Sequence, residues 1–272
     1  GVITVVGPVH VELLGSIEAV AAAKAELVSG LAPGGALIVP AKAGHLEPHL
    51  EGHSGLVRFG PGGDVEAQAV DLRDQGSRVT VSTGAGNEVF EFPFSEDHNI
   101  SNALAAIAAG LAAGATLDEL SLRAGTITFS KLRGEHIALD PDIVLVNDCY
   151  NANPLSMKAA LEYLGSLDRS RRIAVLGMMA ELGSDERSYH AEIGELSRCA
   201  GIDLLIGVGP MADAYSPDLL VESPLEAAEL LRDRLRAGDA VLVKGSRSAG
   251  LEAVAEQLLA TPLVTQAEGE RL

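Results

Sequence analysis

A chain of 272 residues, 47% hydrophobic and without tryptophan, has enough apolar content for one large or two ordinary domains with aliphatic cores. Its formal charge of -18 speaks against general nucleic-acid binding, which draws affinity from basic patches that displace counterions, yet leaves room for an anionic ligand held by local cations or helix N-termini. No apolar run reaches the about 18 residues of a membrane span, no basic-then-apolar leader is visible, and two cysteines, Cys149 and Cys199, are too few for a disulfide framework and fit a reducing cytoplasm.

In chain order, Val2-Ile3-Thr4-Val5-Val6 predicts a strand ended by Gly7-Pro8. Ser16, with Glu18 in the first turn, predicts a capped helix over 17–29. Gly34-Gly35 leads into Ala36-Leu37-Ile38-Val39, a buried strand. Short alternating segments at 56–59, 65–70, 78–82 and 88–92, broken by glycine-rich turns, predict antiparallel hairpins. A strongly apolar helix follows over 100–112. From about Pro141 the pattern becomes a regular alternation. Strands are predicted at 143–147, 172–176, 203–208 and 240–244, helices at 155–166, 187–200, 224–236 and 250–260, and a short extra strand at 219–222. This predicts a doubly wound, Rossmann-like α/β domain on a parallel sheet. The boundary between the regions is expected at 139/140, and the tail from Gln266 reads as polar and frayed.

The densest polar signal is Asn147-Asp148-Cys149-Tyr150-Asn151-Ala152-Asn153-Pro154. It follows the apolar run Ile143-Val144-Leu145-Val146 and precedes a helical pattern that Pro154 suits as a first-turn residue. Asn147, Asp148, Asn151 and Asn153 are thereby held at the carboxyl end of a buried strand, where open α/β sheets bind ligands. Other strings are weaker by themselves. His10 after the first strand and Lys24 on the next helix also read as ordinary structure and solvated surface. Asp97 or Asn99 suits a helix cap, and Asn102 can satisfy itself locally. Lys131-Leu132-Arg133-Gly134-Glu135 also reads as a charged linker, and Lys244 and Arg247 as surface charge.

Together these strings resemble the Mur ligase family of cell-wall enzymes, over nearly all of the chain. The likeness is carried by Asp148-Cys149-Tyr150-Asn151-Ala152-Asn153-Pro154, by Gly7-Pro8-Val9-His10-Val11-Glu12 with the following Ala23-Lys24-Ala25-Glu26, by His98-Asn99 with Asn102-Ala103-Leu104-Ala105-Ala106, by Val175-Leu176-Gly177 with Glu181-Leu182-Gly183, and by Val241-Leu242-Val243-Lys244-Gly245-Ser246-Arg247. The first and last favour the members that join D-alanyl-D-alanine to UDP-N-acetylmuramoyl-tripeptide. The resemblance implies that 1–139 is part of a central P-loop-type ATPase domain and 140–272 a C-terminal Rossmann-like domain for substrate and nucleotide. It implies a cytoplasmic monomer using ATP and Mg²⁺ and closing about a hinge near 139–142. It implies catalytic roles for His10, Lys24 and Arg133: His10 and a carbamylated Lys24 hold the metal, and Arg133 reaches the γ-phosphate. Asn99 and Asn102 would lie near adenine, Asp148 on the ribose hydroxyls, Tyr150 beside the nucleotide, and Asn151, Asn153, Lys244 and Arg247 on the substrate.

Two positions depart from the family pattern. Met178 stands where the family has Asp, and Ser95-Glu96-Asp97 stands where it usually has Gly; His190 falls at the spacing of a family His. No Gly-rich loop ending in Gly-Lys-Thr or Gly-Lys-Ser occurs in the 272 residues, although a nucleotide-triphosphate enzyme of this kind needs one to cradle the phosphates. The chain is therefore expected to be a fragment of a longer ligase and inactive alone. The alternatives are another ligase of the same superfamily, adding a different amino acid, and a non-catalytic nucleotide- or peptide-binding module.

Overall fold

The computed structural model describes residues 1–73, 76–140 and 142–260. Pro141 and the tail from Gln266, both used above, lie outside the described residues. The chain divides into two compact units, Gly1–Thr128 and Phe129–Leu272.

The first unit opens with a single turn, α1 (Val11–Leu14), and α2 (Ile17–Ser29). Ser16 caps α2 as predicted, its hydroxyl accepting from the Ala19 N–H. Five strands follow: β1 (Leu37–Pro40), β2 (Leu56–Phe59), β3 (Val65–Arg73), β4 (Gly76–Thr83) and β5 (Gly86–Phe92), forming one sheet in that order. Helices α3 (Asp97–Ala112) and α4 (Leu117–Ala124) complete the unit. Alternation along the strands sends Val79, Val81, Phe90 and Phe92 inward against Ile100, Leu104 and Ile107 of α3. Leu37 and Val39 point to the other side, into a small cluster with Ile3, Ala25 and Leu46.

The antiparallel expectation holds for β3–β4–β5 only. β1 and β2 pair in parallel over four residues, and β2 meets β3 through the single parallel pair Phe59↔Val65. A parallel pair needs a crossover, and residues 41–55, with a 3₁₀ turn at Gly44–His49, supply it. The strand predicted at Val2–Val6 reduces to one parallel bridge, Val2↔Ile38. Beyond Ile3 the described chain finds no strand partner, and Val5 is half exposed. α4 was not predicted, although Thr116 and Glu119 form a complete capping box at its start.

The second unit holds β6 (Glu135–Asp140), β7 (Ile143–Asp148), α5 (Pro154–Ser166), β8 (Arg171–Leu176), α6 (Glu186–Cys199), β9 (Leu204–Val208), β10 (Leu219–Val221), α7 (Pro224–Arg232), β11 (Asp239–Lys244) and α8 (Glu252–Ala260). The sheet order is β10-β9-β8-β11-β7-β6, parallel except for β6. Odd-numbered strand residues, among them Ile143, Leu145, Ile173, Val175, Val241 and Val243, pack under α7 and α8. Even-numbered ones, Val146, Ala174, Leu176, Ala240 and Leu242, pack under α5 and α6 with Met157, Leu161 and Ile193. Burial on both faces is why these strands read as continuous apolar runs. The doubly wound expectation is met.

The boundary at 139/140 is corrected. Residues 135–140 form an antiparallel edge strand on β7, with Ile137 and Leu139 packed on the core. The hinge expected near 139–142 falls inside the second unit, where the Asp142 N–H donates to Asp140 Oδ1. Arg133 accordingly belongs to the same unit as Asp148.

Gly194 lets α6 lie directly on the 3₁₀ turn Ala212–Tyr215: a Cβ there would stand 2.1 Å from the Tyr215 carbonyl oxygen. Gly194→Ala is expected to lower stability by about 1–3 kcal/mol or more, because backbone cannot yield as a side chain does. Gly30→Ala, at a right-handed helix end with its nearest neighbour at 3.5 Å, should be neutral or stabilising by up to about 1 kcal/mol. Urea unfolding midpoints of the two variants check both.

Candidate active site

The carboxyl edge of the second sheet gathers the polar residues. β7 ends at Asp148 and β11 at Lys244, register partners on adjacent parallel strands. Lys244 is buried, its side chain only 2% exposed. Its ammonium donates to Asp148 Oδ2 at 2.5 Å and to the Asn151 carbonyl at 3.0 Å. Asp148 Oδ1 accepts from the Gly134 N–H at 3.2 Å. A carboxylate has about four lone-pair sites, and the Asp148 side chain, 23% exposed, still presents open ones to solvent.

The segment before β6 is docked on the loop after β7. The Tyr150 N–H donates to the Leu132 carbonyl at 3.0 Å, and the Arg133 guanidinium lies over the Tyr150 ring, 3.7 Å from its centroid. Such stacking is worth about 0.5–1 kcal/mol at an exposed site. It leaves the in-plane N–H donors of Arg133 free of the ring face. Leu132 takes φ 64°, an uncommon conformation for a branched side chain, which turns Arg133 back towards Tyr150. Asn151 Oδ1 accepts from the Ala152 N–H. Asn153 caps α5: its Oδ1 accepts from the Ser156 N–H at 2.9 Å while Ser156 Oγ accepts from the Asn153 N–H.

A second loop, after β8, is latched beside this site. The Gly177 N–H donates to the Lys244 carbonyl, the Ser246 N–H to the Met178 carbonyl, and the Ala180 N–H to Ser246 Oγ. Tyr215 donates its hydroxyl hydrogen to the Gly177 carbonyl at 2.8 Å. His190 is fully buried; its Nε2 accepts from the Met179 N–H at 2.9 Å, so Nδ1 carries the proton given to the Glu186 carbonyl at 2.7 Å. Burial holds its pKa below the ordinary imidazole value. Cys149 donates to the Val243 carbonyl, and burial pushes its thiol pKa far up, which makes it an inert packing residue.

In the first unit, His10 is exposed, in a left-handed conformation (φ 55°) ahead of α1, and Lys24 is half-buried on α2. Asn99 Nδ2 donates to the buried Glu96 at 3.2 Å. Asn102 is exposed on α3. Among the described residues no group of three or more His, Cys, Asp or Glu is placed to hold a metal ion. Mg²⁺ takes oxygen ligands, and an imidazole with an unmodified ammonium does not supply them. His10 and Lys24 as they stand do not fit that ion.

Residues 1–110 match the Mur ligase middle domain, and residues 132–247 match the Mur ligase glutamate ligase domain. The chain belongs to the Mur ligase family. It is 35% identical over 262 residues to the UDP-N-acetylmuramoyl-tripeptide--D-alanyl-D-alanine ligase of Escherichia coli (strain K12), covering 92% of this chain and 57% of that protein. It is 32% identical to the Bacillus subtilis (strain 168) ligase of the same description, over 96% of this chain and 59% of the other. Crystal structure I of MurF from Acinetobacter baumannii matches with a TM-score of 0.86 at 27% identity, over 96% of this chain and 59% of that one. MurF ligase from Thermotoga maritima, solved in complex with ADP, shares the fold at a TM-score of 0.82 and 22% identity. The chain thus spans just under three fifths of the length of the curated relatives it matches.

Within this Mur ligase chain the second unit brings together Arg133, Asp148, Tyr150, Asn151 and Lys244. Two expectations change. Asn153 spends its side chain on the cap of α5. Lys244, expected on an anionic substrate, is enclosed and already committed to Asp148 and Asn151. Arg247 remains exposed, paired with Glu252 at 2.9 Å. Sequence reasoning missed the Gly134 amide, the Ser246 hydroxyl and the latching role of His190; Gly134, Ser246 and His190 lie in strings already singled out, and only their contacts were invisible.

Asp148→Ala leaves a buried ammonium with one carbonyl partner, and should cost about 3–5 kcal/mol. The double variant Asp148→Asn with Lys244→Met should cost less than the sum of its parts. A double-mutant cycle on denaturant unfolding measures this. His190 has a folded pKa below its unfolded value of about 6.5. The unfolded chain therefore binds the extra proton, and the His190 contribution is complete above that pH and lost as pH falls below it. His190→Gln should flatten the pH dependence of unfolding below about pH 6.5 while lowering stability at pH 7.5 by about 1 kcal/mol.

Proposed function

We propose that the chain is the nucleotide- and substrate-binding part of an ATP-dependent amide ligase that joins D-alanyl-D-alanine to UDP-N-acetylmuramoyl-tripeptide in peptidoglycan precursor synthesis. The observation that carries this reading is the Asp148–Lys244–Arg133–Tyr150 arrangement at the carboxyl edge of the second sheet, in a chain 35% identical to a ligase of that description. The tripeptide carboxylate attacks the γ-phosphorus of ATP, and ADP leaves with formation of an acyl phosphate. The amine of D-alanyl-D-alanine then attacks the acyl carbon, phosphate leaves, and the amine proton is released.

The chain's own part in this is positioning and charge. Arg133, its face held by Tyr150, offers a planar donor edge to the phosphoryl oxygens. Stabilising charge there is the main catalytic lever in phosphoryl transfer, which asks little covalent chemistry of the protein. Within the second unit the open lone pairs of Asp148 take the ribose hydroxyls, with Tyr150 beside the nucleotide. Asn151 and Arg247 face the anionic peptide. His10 and Lys24 serve the phosphates only if Lys24 is carbamylated, since the carbamate supplies the oxygens that a hard cation needs. The proposal concerns a ligase that also holds a phosphate-cradling loop, which residues 1–272 do not contain. Both cysteines are free, and no helix among the described residues is long and apolar enough to cross a membrane; these support a cytoplasmic setting, and we take the enzyme to act as a monomer.

The test is formation of the amide product, with ADP and phosphate, from ATP, tripeptide and dipeptide by the complete gene product. Arg133→Ala is expected to lower kcat by about 10²–10³. Lys24→Ala should lose most activity, and added bicarbonate should not restore it. Turnover of another amino acid in place of the dipeptide would move the chain to a different ligase of the family. Wild-type rates in Lys24→Ala would remove the carbamate.

A further inference from the structure

Lys244 carries the charge expected to meet an anionic substrate, yet its geometry serves another end. Its side chain is 2% exposed, and its ammonium is spent on Asp148 Oδ2 and the Asn151 carbonyl. Asp148 and Asn151 flank Tyr150, the residue on whose ring Arg133 lies. Asp148 passes the constraint on, because its other oxygen accepts from the Gly134 N–H, next to Arg133. The Tyr150 N–H closes the circuit on the Leu132 carbonyl. One buried ammonium therefore stands at the root of two segments, 132–134 and 148–151, that have no regular secondary structure of their own beyond the last residue of β7.

We propose that Lys244 is a positioning residue that fixes the Asp148 carboxylate and, through it, the Arg133–Tyr150 stack, without touching the nucleotide or the peptide substrate. An ammonium has three donors and no acceptor, so it orients the two acceptors and leaves the outer lone pairs of Asp148 for hydroxyl donors. A lysine suits this place because its compact charge on a flexible stem can be threaded beneath the loop, whereas a planar guanidinium needs a matching flat partner. The inference rests on the nucleotide reading above for one of its two readouts.

Hydrogen exchange and ligand titration on the complete protein test it with Lys244→Met, which keeps the unbranched stem as far as Cε and removes the ammonium. Amides of 132–134 and 150–152 should exchange at least about tenfold faster, while those of the strand centres, Leu145 and Val243, stay protected. Wild-type protein should prefer ADP to 2′,3′-dideoxy-ADP by roughly tenfold or more, as hydrogen bonds to a charged acceptor imply. Lys244→Met should lose most of that preference and weaken adenosine and ADP by the same factor. Loss of stability alone would lower affinity without erasing the preference. Unchanged exchange in both segments overturns the inference, as does weaker ADP binding with unaltered adenosine binding, the mark of a direct phosphate contact. If the wild type shows no preference between the two nucleotides, the ribose role of Asp148 fails, and the exchange rates still decide the positioning role. Should Lys244→Met not fold, Asp148→Asn with Lys244→Met, which leaves no unpaired buried charge, is compared with Asp148→Asn; faster exchange of 132–134 in the double variant supports the inference, and equal rates overturn it.

Discussion

The second unit is organised around a charge that the sheet has taken out of water. Lys244 ends β11 and Asp148 ends the neighbouring β7, with their Cα atoms in register, and the Asp148 carboxylate makes the burial of the Lys244 ammonium tolerable. Desolvating an ammonium costs several kcal/mol, which only a close counter-ion and further hydrogen bonds offset. Here both conditions are met, by the Asp148 carboxylate and the Asn151 carbonyl. Because the pair needs its geometry, the loops that carry its partners inherit that geometry. A hydrophobic pair in the same place would hold the strands together and leave the loops undirected.

The layers beneath make this arrangement stiff. Alternating strand residues feed two separate cores, one under α7 and α8 and one under α5 and α6, so the strand ends cannot shift without disturbing both. On the side of β8 the Gly177–Ala180 backbone is tied to the end of β11 through the Lys244 carbonyl and Ser246, to α6 through His190, and to the Ala212–Tyr215 turn through Tyr215. Gly177 and Gly245 permit that approach: a Cβ on either would stand 3.0 Å from the Leu251 side chain. These are backbone solutions, in which buried N–H and C=O groups find partners among each other or on buried His, Ser and Tyr side chains. They leave the charged groups at the rim to face ligands.

Much of this fold is legible along the chain. The predicted helix over 17–29 and its Ser16 cap coincide with the structure, because a cap and its first turn are local. The strands and helices of the second unit fall within a few residues of their expected positions, because long apolar runs and 3.6-residue periodicity are strong signals. The failures share a cause as well. β6 is a half-exposed edge whose alternation, Ile137 and Leu139 against His136, Ala138 and Asp140, becomes a strand only when β7 lies alongside. The parallel pairing of β1 with β2 depends on where the crossover returns, not on the residues of either strand. The opening apolar stretch has strand composition but only one described bridging partner residue, Ile38.

The candidate site divides along the same line. The sequence by itself determined which chemistries are present: a carboxylate and amides after an apolar run, a Lys-Gly-Ser-Arg string after another, an Arg in a charged segment, and the motif spacing that marks a Mur ligase. It also determined that the runs would be buried, since Val, Ile and Leu have no other favourable place. Only the tertiary structure decided that Lys244 faces Asp148 and not solvent, and that Arg133 belongs with Tyr150 in the second unit. The physical reason is that such roles are set by partners about 15 to 100 residues away in the chain, as the separation of 96 between Lys244 and Asp148 shows. Whether a charge is a ligand or a strut depends on what the folded sheet puts across from it.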